Sequence, residues 1–471
     1  MLKPRLTVAV RTLVAFSLQT GDLASTFAGL QRPLDGLRAH QKIQRARPAG
    51  YQPEVALQHA IETPDFVLEI SGRLDGVFTD GDRVVIDEIK STHKELDAFE
   101  HNPDPLHWGQ VQAYAWLYAT HHDLDAVDAQ LTYYQLTTKD TREFRRAYIL
   151  DELNRLMTAL LDDYVAWATR LERWRLQRDQ SIRGLGFPFD DFREGQRQMA
   201  VTVYRSIQTD GRAMIQAPTG IGKTMAALFP ALKALGEGLT AKLFYLTART
   251  TGRQAAEKAL SVMRRRGLQV KSLTLTAKDK LCPYPDATCT PEECPRSRGH
   301  FDRMKGARLA AFDRDALDRD TVTRLADAFE VCPFEFSLEM ALWMDTIVGD
   351  YNYVFDPRVY LRRFFAEDNG AYTFLVDEAH NLVDRAREMF SASLLKSRFL
   401  ELRRLLKDKG SEIYRLAGEI NAWMLARKKE MAPDSLQREL ERPDDILPLL
   451  RRFCTALERG IGLPRFADLR T

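Results

Sequence analysis

Cysteine is absent from the first 281 residues of this 471-residue chain, and only five follow: Cys282, Cys289, Cys294, Cys332 and Cys454. That scarcity excludes a fold built on disulfides, and the clustering of four of them points to a metal or cluster site. Charge of one sign is also missing. Lys plus Arg number 68 against 66 Asp plus Glu, a net +2, so the total charge selects neither nucleic acid nor a membrane surface and local charge must be read. No apolar run reaches bilayer-spanning length. The first stretch, MLKPRLTVAVRTLVAFSL, is interrupted by Arg11 and no small-residue cleavage site follows, which predicts a cytoplasmic protein with no membrane partner. Repeats and low-complexity tracts are absent too. With 45% apolar residues the chain has material for about three domains.

The pattern along the chain divides near residue 185. A helix-rich start gives way to FVLEISGRLDGVF (66–78) and RVVIDEIK (83–90), which flank the turn signal TDGD and predict a hairpin. GQVQAYAWLYA then reads as helix, AQLTYYQL as strand, and 151–180 as one long amphipathic helix ending near RGLGFPFDDF. Beyond it AMIQA, KLFYLT, VKSLTLT, TIVGDYNYVF and YTFLVDEAH alternate with helices, which predicts a parallel sheet covered on both faces. After residue 390 the chain is helical and highly charged. The expected fold class is α/β in both major regions.

APTGIGKTMAALF carries the first chemistry. A strand-to-helix turn aims backbone N–H groups and the positive helix end at one point, where a polyphosphate binds. Gly220 and Gly222 let the backbone approach, Lys223 supplies a cation for the β and γ phosphates, and the Thr224 hydroxyl can ligate Mg²⁺. FLVDEAHN supplies the complementary acids. Asp377 would hold the Mg²⁺ shell and Glu378 would orient or deprotonate the attacking water. Two such motifs in this order make ATP hydrolysis the strongest chemical assignment. They resemble the RecA-like first motor domain of superfamily 2 helicases, with Ala217 where the first loop glycine usually stands. The resemblance implies a nucleotide contact for Gln196 in FREGQRQM, and contacts to a single-strand backbone for Thr247, Arg249 and Thr250 in LTART.

Cys282, Cys289, Cys294 and Cys332 lie between those motifs. Four thiolates suit a 4Fe-4S cluster or a structural Zn²⁺, and free cysteines are also common small core residues, so spacing alone leaves the choice open. Their position resembles the iron–sulfur helicases of the xeroderma pigmentosum D and DinG branch, over roughly residues 190–471, and that resemblance implies a 4Fe-4S cluster. Cys454 stands apart and is expected to be structural. Residues 258–310 hold twelve Lys/Arg against five Asp/Glu, a local excess that would attract a phosphate backbone without reading sequence.

A second chemistry sits near the N-terminus. If the hairpin turn centres on Asp80-Gly81, Asp75 faces Ile86; Asp75, Glu88 and Lys90 then share a face while Asp87 points away. Two carboxylates there could bind Mg²⁺ or Mn²⁺, with Lys90 orienting the water or offsetting phosphate charge. The set resembles the RecB-like branch of PD-(D/E)xK nucleases over roughly residues 30–150. It implies a metal-ligand role for His40 and a QxxxY support pair in Gln110 and Tyr114. A nuclease relic that only binds nucleic acid is the alternative. Some RecB-like nucleases carry their own four-cysteine cluster, and this region has none.

The expected domains are a PD-(D/E)xK nuclease-like region (1–150), a helical linker (151–185), a RecA-like P-loop motor domain (186–275 and 340–390), a cysteine insertion (276–339) and a helical arch-like segment (391–471). Motifs of a second motor domain do not follow Asn381, so the chain is expected to be truncated and weak in ATP-driven unwinding unless the missing half is supplied. Together these readings predict an ATP-dependent helicase/nuclease of DNA repair type, acting on single-stranded or branched DNA, with 5′-to-3′ direction implied by the resemblance alone. The rival expectation is a non-catalytic, nucleotide-regulated DNA-binding protein.

Overall fold

The computed structural model describes residues 3–23, 32–365, 370–407, 411–432, 435, 436, 441 and 443–461. They fall into two compact units. The first comprises 1–283, 289–351 and 361–378; the second comprises 284–288, 352–360 and 379–471.

The first unit holds two sheets. Sheet one contains β1 (Arg5–Ala9), β2 (Gln52–Glu62), β3 (Val67–Asp80), β4 (Arg83–Thr92), β5 (Ala126–Gln135) and β6 (Thr141–Ile149). β2 runs antiparallel to β3 along nearly its whole length. On the opposite edge of β3 two strands share the space: β1 pairs in parallel up to Ala9↔Ser71, and β4 pairs antiparallel from Gly76↔Asp87. Residues 72–75 therefore lie in a fork where that edge has neither partner. A buried layer that includes Phe66, Leu68, Ile70, Leu74 and Ile86 packs under helix Pro105–His121, each such side chain contributing about 1.5–3 kcal/mol. That helix starts where it does because Asp104 accepts from Leu106 N at 2.9 Å and Pro105 fits its first turn.

The hairpin forms, with a corrected register. Its two-residue turn is Gly81-Asp82, Gly81 having φ 61, and Val77 rather than Asp75 pairs with Ile86. The shift is two residues, and side chains alternate with period two, so Asp75, Glu88 and Lys90 still share a face. Asp87 does turn to the other face, but into a buried ion pair with Arg47 at 2.7 Å rather than into water.

Sheet two is parallel, in the order β11 (Tyr372–Val376), β7 (Lys242–Leu246), β10 (Thr346–Gly349), β8 (Ser272–Thr274), β9 (Ala316–Leu317). The strand expected at AMIQA is not formed. Residues 211–216 are exposed, Met214 at 97%, and among the described residues no ladder pairs with them. A strand exists only with a partner, and three apolar residues in a row have no alternation to select a face. β9 lies inside the expected insertion yet joins this sheet, so the cysteine segment is built into the α/β fold.

Helix Leu150–Gly184 is longer than expected and belongs to both cores. Met157, Leu160 and Ala168 pack with sheet one, whereas Ile182 packs among Leu228, Leu232 and Leu243 of sheet two. Arg178 fixes the junction by donating to Asp345 at 2.8 Å, both side chains being buried.

The second unit is helical. Lys396–Leu405, Glu412–Glu430 and Leu447–Ile461 enclose Leu406, Leu416, Ile420 and Phe453, and Ser411 caps the middle helix through Tyr414 N at 3.1 Å. Cys454, expected to be structural, is exposed on the last of these helices. No described helix is long and apolar enough to cross a membrane.

Candidate functional site

The glycine turn and the acidic pair meet. Gly220 and Gly222 have φ 89 and 85, and Gly222 caps helix Lys223–Gly236. A Cβ at Gly222 would stand 2.5 Å from Gln196 Nε2, so close approach as well as backbone conformation requires glycine there. Gln196 is buried beneath the turn, donating to Gly222 O at 3.3 Å while its Oε1 accepts from Arg193 N at 3.1 Å. Across the turn Lys223 Nζ lies 3.2 Å from Glu378 Oε1. Asp377 N donates to Leu246 O at 2.8 Å, extending the ladder and aligning the acids with the end of β7. Tyr351 donates its hydroxyl to the backbone oxygens of Asp377 and Glu378, and Tyr245 places its hydroxyl 3.4 Å from Thr224 Oγ1. Burial, with Asp377 and Glu378 nearby, raises the pKa of Tyr245 and keeps it a neutral donor.

Arg193, Tyr245 and Tyr351 were not identified from sequence. Arg193 lies three residues before Gln196, whereas Tyr245 and Tyr351 stand more than twenty residues from Thr224, Asp377 and Glu378, so no spacing signals them. Of the LTART residues, Arg249 and Thr250 are exposed at the start of helix Thr250–Arg264. Thr247 is 1% exposed and packs where any Cβ on Gly252 would strike it, so the strand contact expected of Thr247 is not available at the surface.

The fork in sheet one collects the second set. His40, on helix Arg32–Arg45, has Nδ1 3.1 Å from Asp75 Oδ1, and Asp75 Oδ2 accepts from Ile89 N at 2.7 Å where the β3–β4 ladder stops. Lys90 Nζ donates to Glu88 Oε1 and Gln110 Oε1, each at 2.8 Å, and Gln110 Nε2 donates to the same Glu88 oxygen at 2.7 Å. Glu88 Oε2 is buried with no hydrogen-bond partner. Burial pushes Glu88 up to about 7 against the pull of Lys90. His40 is lowered by burial but raised more by the hydrogen bond and charge of Asp75, for a net rise. Tyr114 is buried against Gly72, where a Cβ would come 2.7 Å from its ring.

Sequence reading missed three supports here. Gln44 donates to Asp75 O at 3.0 Å from the helix that carries His40, and Tyr51 donates to the same oxygen at 3.3 Å. His107 is driven down to about 4 by burial, then by Lys90, with Lys94 and Arg11 adding to the effect against Asp104. Among the described residues no group of three or more His, Cys, Asp and Glu side chains stands in metal-ligating geometry. The orphaned Glu88 oxygen beside Asp75 is nevertheless the kind of donor a divalent cation completes.

Around the cysteines, Lys278 Nζ is 2.8 Å from Cys289 Sγ, and its pKa is raised first by that bond, against burial, and further by Cys289, Cys332 and Cys282. Cys294 and Cys332 are buried, Cys282 and Cys289 half-buried. Cys332 N donates to His300 Nδ1 at 3.2 Å, and burial drives His300 down to about 4, so it stays a neutral acceptor. Three of the four thiols, Cys282, Cys289 and Cys332, act electrostatically on Lys278, and thiols are the donor type that holds a cluster or zinc.

Three family models match the chain. The PD-(D/E)XK nuclease superfamily matches residues 17–197, the DEAD/DEAH box helicase family 193–281, and DEAD_2 253–399. The chain joins an XPD-like helicase region to an N-terminal PD-(D/E)XK nuclease-like region. A regulator of telomere elongation helicase 1 homolog of Anopheles gambiae is 23% identical over 331 residues, covering 59% of this chain and 32% of that protein. The general transcription and DNA repair factor IIH helicase subunit XPD of Arabidopsis thaliana is 26% identical over 244 residues, covering 44% of this chain and 32% of that protein. The chain thus spans about a third of the length of these relatives. A solved XPD helicase structure aligns at TM-score 0.37 and 17% identity, over 58% of this chain and 48% of that one.

Proposed function

We propose that the chain is part of an ATP-hydrolysing DNA helicase/nuclease of the DNA repair kind, with a motor half-site and a separate phosphodiester-cleaving site. The observation that carries the motor assignment is the 3.2 Å approach of Lys223 to Glu378, which joins the glycine turn to the acidic pair. ATP would seat its phosphates against the N-terminus of helix Lys223–Gly236, drawing Lys223 onto the β and γ phosphates and releasing Glu378 to orient the attacking water. Gln196, held under Gly222, would contact the base. The Thr224 hydroxyl and Asp377 would hold the Mg²⁺ that accompanies the nucleotide, which would supply positive charge to offset that of the phosphates.

For the nuclease, water adds to phosphorus as the bond to the departing sugar oxygen breaks, and that oxygen takes up a proton. Asp75 and Glu88, with His40, would hold Mg²⁺ or Mn²⁺, which supplies a water of lowered pKa and charge to offset the leaving oxygen. Lys90, fixed by Glu88 and Gln110, would grip the attacked phosphate. The four clustered cysteines would hold a 4Fe-4S cluster as a structural element beside the motor. Single-stranded DNA is the expected stimulus and substrate, in line with the helicases and the DNA repair subunit among the relatives.

The test is DNA-stimulated ATPase of the purified chain, alone and supplied with a second motor domain. Lys223→Ala should lower the rate by about 10²-fold or more, since it removes a charge that grows in value towards the transition state. In parallel, Asp75→Ala and Lys90→Ala should abolish Mn²⁺-dependent cutting of single strands. Unchanged ATPase in Lys223→Ala would refute the motor assignment, and unchanged cutting in both nuclease variants the other.

A further inference from the structure

Lys90 and Gln110 of the fork line a cleft of about 1730 Å³ whose near wall is Arg5 of β1 with Arg11 of the following helix, Val10–Leu18, and whose far wall is the cysteine segment, including Lys278, Cys289 and Cys332. That volume exceeds the roughly 300–1,000 Å³ of small-molecule sites, so the occupant is a polymer segment rather than a metabolite.

The charges lining the cleft decide the polymer. Its acids are mostly engaged: Glu172 accepts from Arg175 at 2.8 Å, Asp345 pairs with Arg178 at 2.8 Å, Glu339 with Arg308 at 3.5 Å, and Asp302 accepts from Gly21 N at 2.8 Å; Glu335 sits beside Cys332. Two of its exposed cations are tied by surface contacts that phosphate can replace, Arg5 to Glu69 at 3.6 Å and Lys305 to Asp163 at 2.8 Å, whereas Lys278 donates to Cys289 Sγ at 2.8 Å. Arg11 is exposed near the nuclease mouth and Lys278 at the cysteine end. Phe301, half-buried in the far wall, offers a ring face to an unstacked base.

We propose that this cleft binds one single strand of DNA whose backbone runs from Lys278 beside the cysteines, past Lys305 and Arg11, to Lys90 and Gln110. A strand leaving the cysteine segment is thereby presented to the nuclease site on the same molecule. The proposal deepens the nuclease reading and rests on it for the fate of the strand, whereas the binding path stands on the cleft alone.

The experiment is fluorescence anisotropy of labelled oligothymidylate with the whole chain in Ca²⁺, across a salt series, for Arg5→Glu, Arg11→Glu and Lys305→Glu, with Arg155→Glu on the exposed face of helix Leu150–Gly184 as control. Each cleft variant should flatten the slope of log affinity against log salt by about 0.7 for every phosphate it no longer neutralises, and the control should not. Melting temperatures within the control's range keep misfolding out of the result. Cutting of oligothymidylate in Mn²⁺ should fall in step with binding, while in Arg5→Glu and Lys305→Glu hydrolysis of bis(p-nitrophenyl) phosphate stays at the unsubstituted rate, because the small ester needs no cleft. Unaltered salt slopes in all three variants overturn the path, as does equal binding of a duplex with equal sensitivity to the variants. Absence of ester hydrolysis in the unsubstituted chain, with the slopes behaving as stated, overturns the nuclease reading and leaves the binding path standing.

Discussion

Glu88 condenses the conflict at the fork into one side chain. It is 4% exposed, has one oxygen shared by Lys90 and Gln110, and has the other without a partner. Burial raises its pKa from 4.5 to about 7, so the folded chain holds a proton that the unfolded chain has already lost between those values. Stability from this group is therefore fully present below about pH 4.5, declines as pH rises to about 7, and is level above it. Glu88→Gln removes the titration. In EDTA the melting temperature of the variant minus that of the parent should climb between pH 4.5 and pH 8, and Mn²⁺ should narrow the gap at pH 8 by stabilising the parent's carboxylate. A difference independent of pH would show that Glu88 is ionised throughout. Side chains like this one were legible in sequence, because Asp75, Glu88 and Lys90 share a parity that survived the two-residue register error. Gln44, Tyr51, Tyr245 and Tyr351 were not, since each acts on a neighbour's backbone or hydroxyl and no spacing encodes that.

Elements were legible where periodicity was long and illegible where a partner decided. Helix Leu150–Gly184 announced itself over many turns, but nothing in its sequence revealed that its last turn enters a second core. There Ile182 is fully buried against helix Lys223–Gly236, and a Cβ on Gly236 would lie 2.5 Å from Ile182 Cγ2. Gly236 is thus a packing glycine, not a turn glycine. Gly236→Ala should destabilise by roughly 1–3 kcal/mol through overpacking, and Ile182→Ala by roughly 2–5 kcal/mol through a cavity. In the double variant the added methyl occupies part of that cavity, so urea unfolding should give a loss smaller than the sum by about 1 kcal/mol. Strict additivity would mean the two helices do not touch at these residues. The missing AMIQA strand is the converse case, a segment with strand composition and no ladder to join.

At the scale of the whole chain, the expected boundaries at 150 and 185 do not separate independent bodies; both fall within the first compact unit. Two devices tie its parts. One is helix Leu150–Gly184, which supplies Met157 and Leu160 to one core and Ile182 to the other. The other is a backbone clasp: Leu23 N donates to Ser297 O at 2.8 Å, Phe301 N to Gly21 O at 3.0 Å, and Gly299 N to Asp22 Oδ1 at 2.7 Å, linking the N-terminal segment to the cysteine segment. Elements joined in this way open together, because freeing one core unravels the helix that completes the other. Leu160→Ala, a cavity in the core of sheet one, should therefore raise amide exchange by the same factor in the slowest amides of β3 and of β7, as global unfolding becomes easier. The helical second unit, with its own core around Leu416 and Ile420, should exchange as before. Acceleration confined to β3 would mean that the nuclease-like sheet unfolds by itself and that the long helix is a tether rather than a shared structural member.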